Sequence, residues 1–139
     1  MTTINAYLNF NGKCREAMTF YKECIGGELT LMPVEGSPAE AQCPPAMKHH
    51  IMHSSLVKDS MVVMATDMSP QEGYVVGNNF ALSVNCSSEE ELNRFFSKLS
   101  EGGKVVDPVK KQFWGALFGV LIDKYSVCWM FNYDMNQHK

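Results

Sequence analysis

The chain has 139 residues, a length that suits one domain able to bury a real core. Its 45% hydrophobic and 19% charged shares and its net charge of -3 are those of an ordinary soluble globular protein, with no Lys/Arg run of the kind nucleic-acid binding needs. No apolar run approaches the roughly 20 residues of a membrane span, and the opening MTTINAYLNF lacks the basic start and apolar stretch of a secretion signal, so the expected location is the cytoplasm.

Residues 4–10 alternate and predict a strand, with Ala6, Leu8 and Phe10 on one face and Asn5, Tyr7 and Asn9 on the other. Asn11-Gly12 is a turn signal. A helix is expected over 13–25, burying Ala17, Phe20, Tyr21, Cys24 and Ile25, and Gly26-Gly27 stops it. A short strand over 28–33 leads into 34–47, a long stretch rich in Pro, Gly, Ser and Ala that reads as a binding loop or lid. Strands over 50–58 and 61–65 pair around Lys58-Asp59-Ser60. A polar linker, 68–77, follows.

The second half opens with a strand over 79–84, Phe80, Leu82 and Val84 facing one way and Asn79, Ala81 and Ser83 the other. Ser87 and Glu90 fit a capping box for a helix to about 100 that buries Leu92, Phe95, Phe96 and Leu99. Strands are expected over 104–106, 116–122 and 127–132. The halves therefore repeat. Leu8 aligns with Leu82, Phe10 with Val84, Phe20-Tyr21 with Phe95-Phe96, and Gly26-Gly27 with Gly102-Gly103. The expected fold class is α+β: two βαβββ modules, about 1–67 and 78–139, in one domain.

Five cysteines, an odd number with no CxxC pair and no zinc-ligand spacing, read as small buried hydrophobes of a reducing compartment. Ten methionines read as core filler or as the lining of a plastic apolar cavity.

The runs YLNFNGKCREAMTFYKECIGGEL, NNFALSVNC and FWGALFGVLIDKYSVCWMFN resemble the glyoxalase/bleomycin-resistance/extradiol-dioxygenase group, the vicinal oxygen chelate superfamily. Within it they are similar to the PhnB-like branch, often labelled demethylubiquinone methyltransferase-like. The resemblance covers nearly the whole chain. It implies two modules whose sheets curl around an open cavity, and a homodimer. It also implies a divalent metal held by a His on the first strand and a Glu on the last strand of each module, with open positions for substrate oxygens. The matching positions here are Asn5 and Asn79 for the His pair, Met64 and Met130 for the Glu pair. Amide oxygens and thioethers are poor ligands for a hard cation. Their neighbours Ala6, Phe80, Val63 and Trp129 do not restore the set.

A metal cofactor is therefore disfavoured and none is expected. The expected ligand cavity comprises Asn5, Tyr7, Asn9, Met64, Asn79, Ser83, Trp114 and Met130, on faces that would otherwise be ordinary polar sheet surface. His49, His50 and His53 do not converge on one side and read as surface or hydrogen-bonded structural residues. His53, just after the proline-rich loop, is also a weak candidate for a catalytic base or polar anchor, with Tyr7. Phe113, Trp114 and Trp129 read mainly as core. Asp67 and Asp123 read as turn residues, and Glu89-Glu90-Glu91 as a helix start favoured by the macrodipole. No Gly-rich strand-turn-helix loop supports a nucleoside cofactor, so methyl transfer is not expected.

Two functions compete. The first is a metal-free protein that binds or sequesters an apolar or aromatic small molecule. The second is a lyase, isomerase or dioxygenase that uses a metal held by non-standard residues, or acid/base chemistry from His53 or Tyr7.

Overall fold

The computed structural model describes residues 2–68 and 73–136. The chain divides into two compact units, Met1–Val75 and Val76–Lys139. The expected linker 68–77 spans that division, and its residues 69–72 lie outside the described ones. No helix among the described residues is long and apolar enough to cross a membrane.

The first unit runs β1 (Ala6–Asn9), α1 (Cys14–Ile25), β2 (Glu28–Pro33), β3 (Ile51–Lys58) and β4 (Met61–Thr66). Its sheet order is β1-β4-β3-β2, with β1 parallel to β4 and the other pairs antiparallel. The second unit repeats this: β5 (Leu82–Asn85), α2 (Glu89–Leu99), β6 (Lys104–Lys111), β7 (Ala116–Ile122) and β8 (Cys128–Asp134), in the order β5-β8-β7-β6. Each unit is thus a βαβββ module.

In the first module Leu8, Phe10, Leu56 and Ala65 share the core with Cys14, Ala17, Met18, Phe20, Tyr21, Cys24 and Ile25 of α1. The 3.6-residue spacing of those helix positions makes a single apolar stripe. Gly27 ends the helix under strict demand: its φ is +101, and a Cβ there would lie 2.7 Å from the Val57 carbonyl oxygen. Lys58 closes the same end by donating from Nζ to the Ile25 carbonyl at 2.8 Å. In the second module Val84, Trp129, Phe131 and Leu121 pack with Leu92, Phe95, Phe96 and Leu99 of α2.

Several sequence expectations shift. The α2 cap is one residue later than Ser87 and Glu90. Ser88, in extended backbone, accepts the Glu91 N–H at 3.1 Å, and the Glu91 carboxylate accepts the Ser87 N–H at 3.0 Å. Both spacings satisfy the capping pattern; the backbone at Ser88 decides. Asn79, Phe80 and Ala81 precede β5 rather than open it. Strand β6 runs through Pro108 to Lys111, because an edge strand tolerates a missing N–H and register shifts flank the proline. The 34–47 loop carries two single 3₁₀ turns, Glu40–Gln42 and Pro45–Met47.

The internal alignment also shifts. Phe10 donates its N–H to Thr66 at 2.8 Å, and Cys86 donates its own to Asn132 at 2.7 Å. Tyr7 pairs with Met64, and Ser83 with Met130. The counterpart of Leu8 is therefore Val84, not Leu82, and that of Phe10 is Cys86, not Val84. Ala81, not Asn79, is the counterpart of Asn5.

Candidate functional site

Alternation gives each sheet one face packed on its helix and one open face. On the open face of the first module, strand pairing sets Tyr7, Met64, Ser55 and Thr30 in one row across all four strands. His53 and its cross-strand partner Met32 form part of the next row. On the second module the matching row begins Ser83, Met130, Val120, and Phe118 stands where His53 stands in the first. Met64 and Met130 are thus true counterparts, as the sequence indicated.

Tyr7 is 47% exposed. Its hydroxyl lies 3.0 Å from His53 Nδ1, the two rings tilted at 39°. The structure therefore joins the two weak catalytic candidates, reaching across β4. Asn9 lies on β1 and its carbonyl accepts the Tyr74 hydroxyl at 3.1 Å. Asn85 and Asn132 meet through their side-chain amides at 3.4 Å on the second open face. Asn5 and Asn79 are exposed and outside the strands, and Asn5 bonds only locally to Thr3. The site reading from sequence missed Ser55, Thr30 and Met32. Alternation along β3 groups Ser55 with His53, but the strand order that brings Tyr7 beside them is not written locally.

The aromatic expectations divide. Trp129 is core, its indole N–H donating to Asp123 at 2.8 Å. Phe113 is 96% exposed and Trp114 52%, so neither is core. They sit in the β6–β7 turn, where Trp114 meets Phe113 and Phe118 edge-on. A hollow of about 570 Å³ beside that turn is lined by Lys111, Gln112, Phe113, Gly115, Met135 and Asn136, away from the methionine rows.

His49 faces Glu35 at 3.5 Å on the surface, and His50 precedes β3. Asp67 and Asp123 do more than turn the chain. Asp67 is buried and accepts N–H bonds from Gly12, Cys14 and Ile51 at 2.8, 3.0 and 2.9 Å. Asp123 accepts from Tyr125, Val127 and Trp129.

All five cysteines are free. Burial pushes the Cys14 thiol from its usual 9.0 up to about 11 and that of Cys86 to about 12. Neither is a nucleophile at neutral pH, because the thiolate is the reactive form. Burial penalises the thiolate in the fold alone, so the unfolded chain ionises first. Stability is full below about pH 9 and falls as pH rises through the folded values. We expect the urea unfolding free energy to drop by about 2 kcal/mol between pH 8 and 10, and Cys14→Ala with Cys86→Ala to flatten that slope.

The divalent metal implied by the fold does not fit the donors here. Among the described residues no three His, Cys, Asp or Glu side chains come together as a metal group. The rows offer phenol, hydroxyl and thioether, which suit hard cations poorly.

The family model described as 3-demethylubiquinone-9 3-methyltransferase matches residues 2–131. The chain belongs to this family. Protein PA1353 from Pseudomonas aeruginosa is 37% identical, covering 96% of this chain and 98% of that one, with a TM-score of 0.83. Protein YjdN of Escherichia coli K12 is 29% identical over 93% of each chain. A putative 3-demethylubiquinone-9 3-methyltransferase, the PhnB protein from Bacillus cereus, is 24% identical over 95% of this chain and 99% of that one, with a TM-score of 0.73. The fold reaches further. A glyoxalase/bleomycin resistance protein/dioxygenase family enzyme from Burkholderia phytofirmans PsJN matches at TM-score 0.61 and 14% identity, over 93% of this chain and 97% of that one. The family thus shares the glyoxalase/bleomycin-resistance fold.

Proposed function

We propose that this family member is a metal-free small-molecule binding protein that binds or sequesters an apolar or aromatic compound on its open sheet faces. One observation carries the reading: Met64 and Met130 occupy equivalent rows, each beside uncharged groups, Tyr7 and Ser55 in one, Ser83 and Val120 in the other. Thioethers adapt their shape to apolar ligands and favour aromatic edges. Hydroxyls beside them supply orientation, as in most small-molecule sites. As the resemblance implies, the reading takes the protein to be a cytoplasmic homodimer.

Methyl transfer, which the family's description names, gains no support from these residues. The pairs Gly26-Gly27 and Gly102-Gly103 follow helices rather than open them, so they cradle no nucleotide phosphate. The Tyr7–His53 hydrogen bond favours a second reading, an acid/base lyase or isomerase of the same fold.

Elemental analysis of protein purified without chelators tests the proposal. We expect far less than one divalent ion per chain. Stoichiometric Zn, Ni, Mn or Fe would move the function to the metalloenzymes of this fold.

A further inference from the structure

We infer that the Tyr7–His53 pair is the polar anchor of the first module's open face, and that it selects an aromatic ring bearing a phenolic hydroxyl. This rests on the binding reading and names the chemistry of its ligand.

The hydrogen bond within the pair leaves a fixed remainder. A neutral imidazole has one donor nitrogen and one acceptor nitrogen. If Tyr7 donates to His53 Nδ1, then Nε2–H points outward as a donor and the phenol oxygen keeps an acceptor lone pair. If Nδ1–H donates to Tyr7, the phenol O–H becomes the outward donor and Nε2 the acceptor. Either tautomer presents one donor and one acceptor together. A hydroxyl, which donates and accepts at one atom, answers both. A carbonyl leaves the acceptor without a proton, and a methyl leaves both groups unmatched once the ligand covers them. Sites built this way reject analogues that lack the matching group.

The ring follows from the neighbours. Met64 is the cross-strand partner of Tyr7, and Met32 is that of His53, so a thioether flanks each member of the pair. Thioether sulfur favours ring edges. Tyr7 is half exposed, so a ligand can reach its hydroxyl. The second module carries Ser83 and Phe118 at the equivalent positions and cannot form such a pair. One phenolic site per chain is expected.

The test uses the full chain and two isosteric probes, 2-naphthol and 2-methylnaphthalene, titrated with EDTA present and followed by methionine ε-methyl NMR signals. We expect 2-naphthol to bind about tenfold tighter, with Met64 and Met32 signals moving. In Tyr7→Phe and in His53→Phe that preference should shrink to within about twofold, while 2-methylnaphthalene affinity stays unchanged. Both substitutions lie on an open face, and an unchanged melting temperature verifies folding. Equal affinity of the two probes for the parent protein overturns this inference and leaves the binding reading standing. So does a preference that survives both substitutions. Failure of both probes to bind overturns the two together.

Discussion

Asp67→Ala is expected to cost about 4 kcal/mol of folding stability, a large part of the 5–15 kcal/mol typical of a natural domain. The reason is geometric. Asp67 follows β4, and one of its oxygens accepts the Gly12 and Cys14 N–H groups while the other accepts that of Ile51. It thereby ties the start of α1 and the start of β3 to the end of β4. Helix α1 has no side-chain cap of its own at Lys13, so this distant carboxylate serves its orphan amides and its positive dipole end. Removing it leaves three N–H groups unpaired, each costing about 1–3 kcal/mol when buried. Water reaches the part-buried Gly12 amide, which keeps the sum below the maximum. Asp67→Asn keeps one acceptor oxygen and turns an NH₂ towards a donor, so about half the loss is expected. Urea unfolding of the three proteins measures both values.

The second large effect is at Gly103, ahead of β6. A Cβ there would run into the Ile122 carbonyl oxygen and lie 2.9 Å from both the Cα and the carbonyl carbon of Asp123. These are backbone atoms of the paired strand β7, so they cannot rotate aside. Gly103→Ala is expected to cost about 3 kcal/mol or more, the upper range for overpacking. Gly36 provides the contrast. Its φ is +84, yet nothing lies within 4 Å of an added Cβ. Gly36→Ala should cost only about 1–2 kcal/mol, from left-handed backbone alone. Denaturant midpoints of the two variants separate lack of space from backbone conformation; equal losses would refute the distinction.

Much of this was written in local pattern. Alternation over residues 4–10 already separates Tyr7 from Leu8, and the apolar spacing in α1 and α2 already names the core positions. The turn before β8 already places Met130 level with Met64. What local pattern misses is set by pairing between distant segments. Strand β1 lies beside β4, not β2, and that order alone brings Tyr7 to His53. The two-residue slide between the repeats has the same origin. Leu8 and Leu82 look alike in sequence, but hydrogen bonding to the last strand fixes which residue is level with each methionine. Phe113 and Trp114 read as core by type, yet a turn of an edge hairpin holds them out. Asp67 was legible as a strand-end residue; its three amide partners were not, because two of them belong to another element or loop more than fifty residues earlier.

The account turns on small-molecule binding that needs no metal. The most direct measurement is the titration of 2-methylnaphthalene into the protein, read at the Met64 and Met130 methyl signals with and without EDTA. The account predicts that these signals move to the same extent in both conditions. Signals that stay still in EDTA and respond only after Zn²⁺ is added would contradict it.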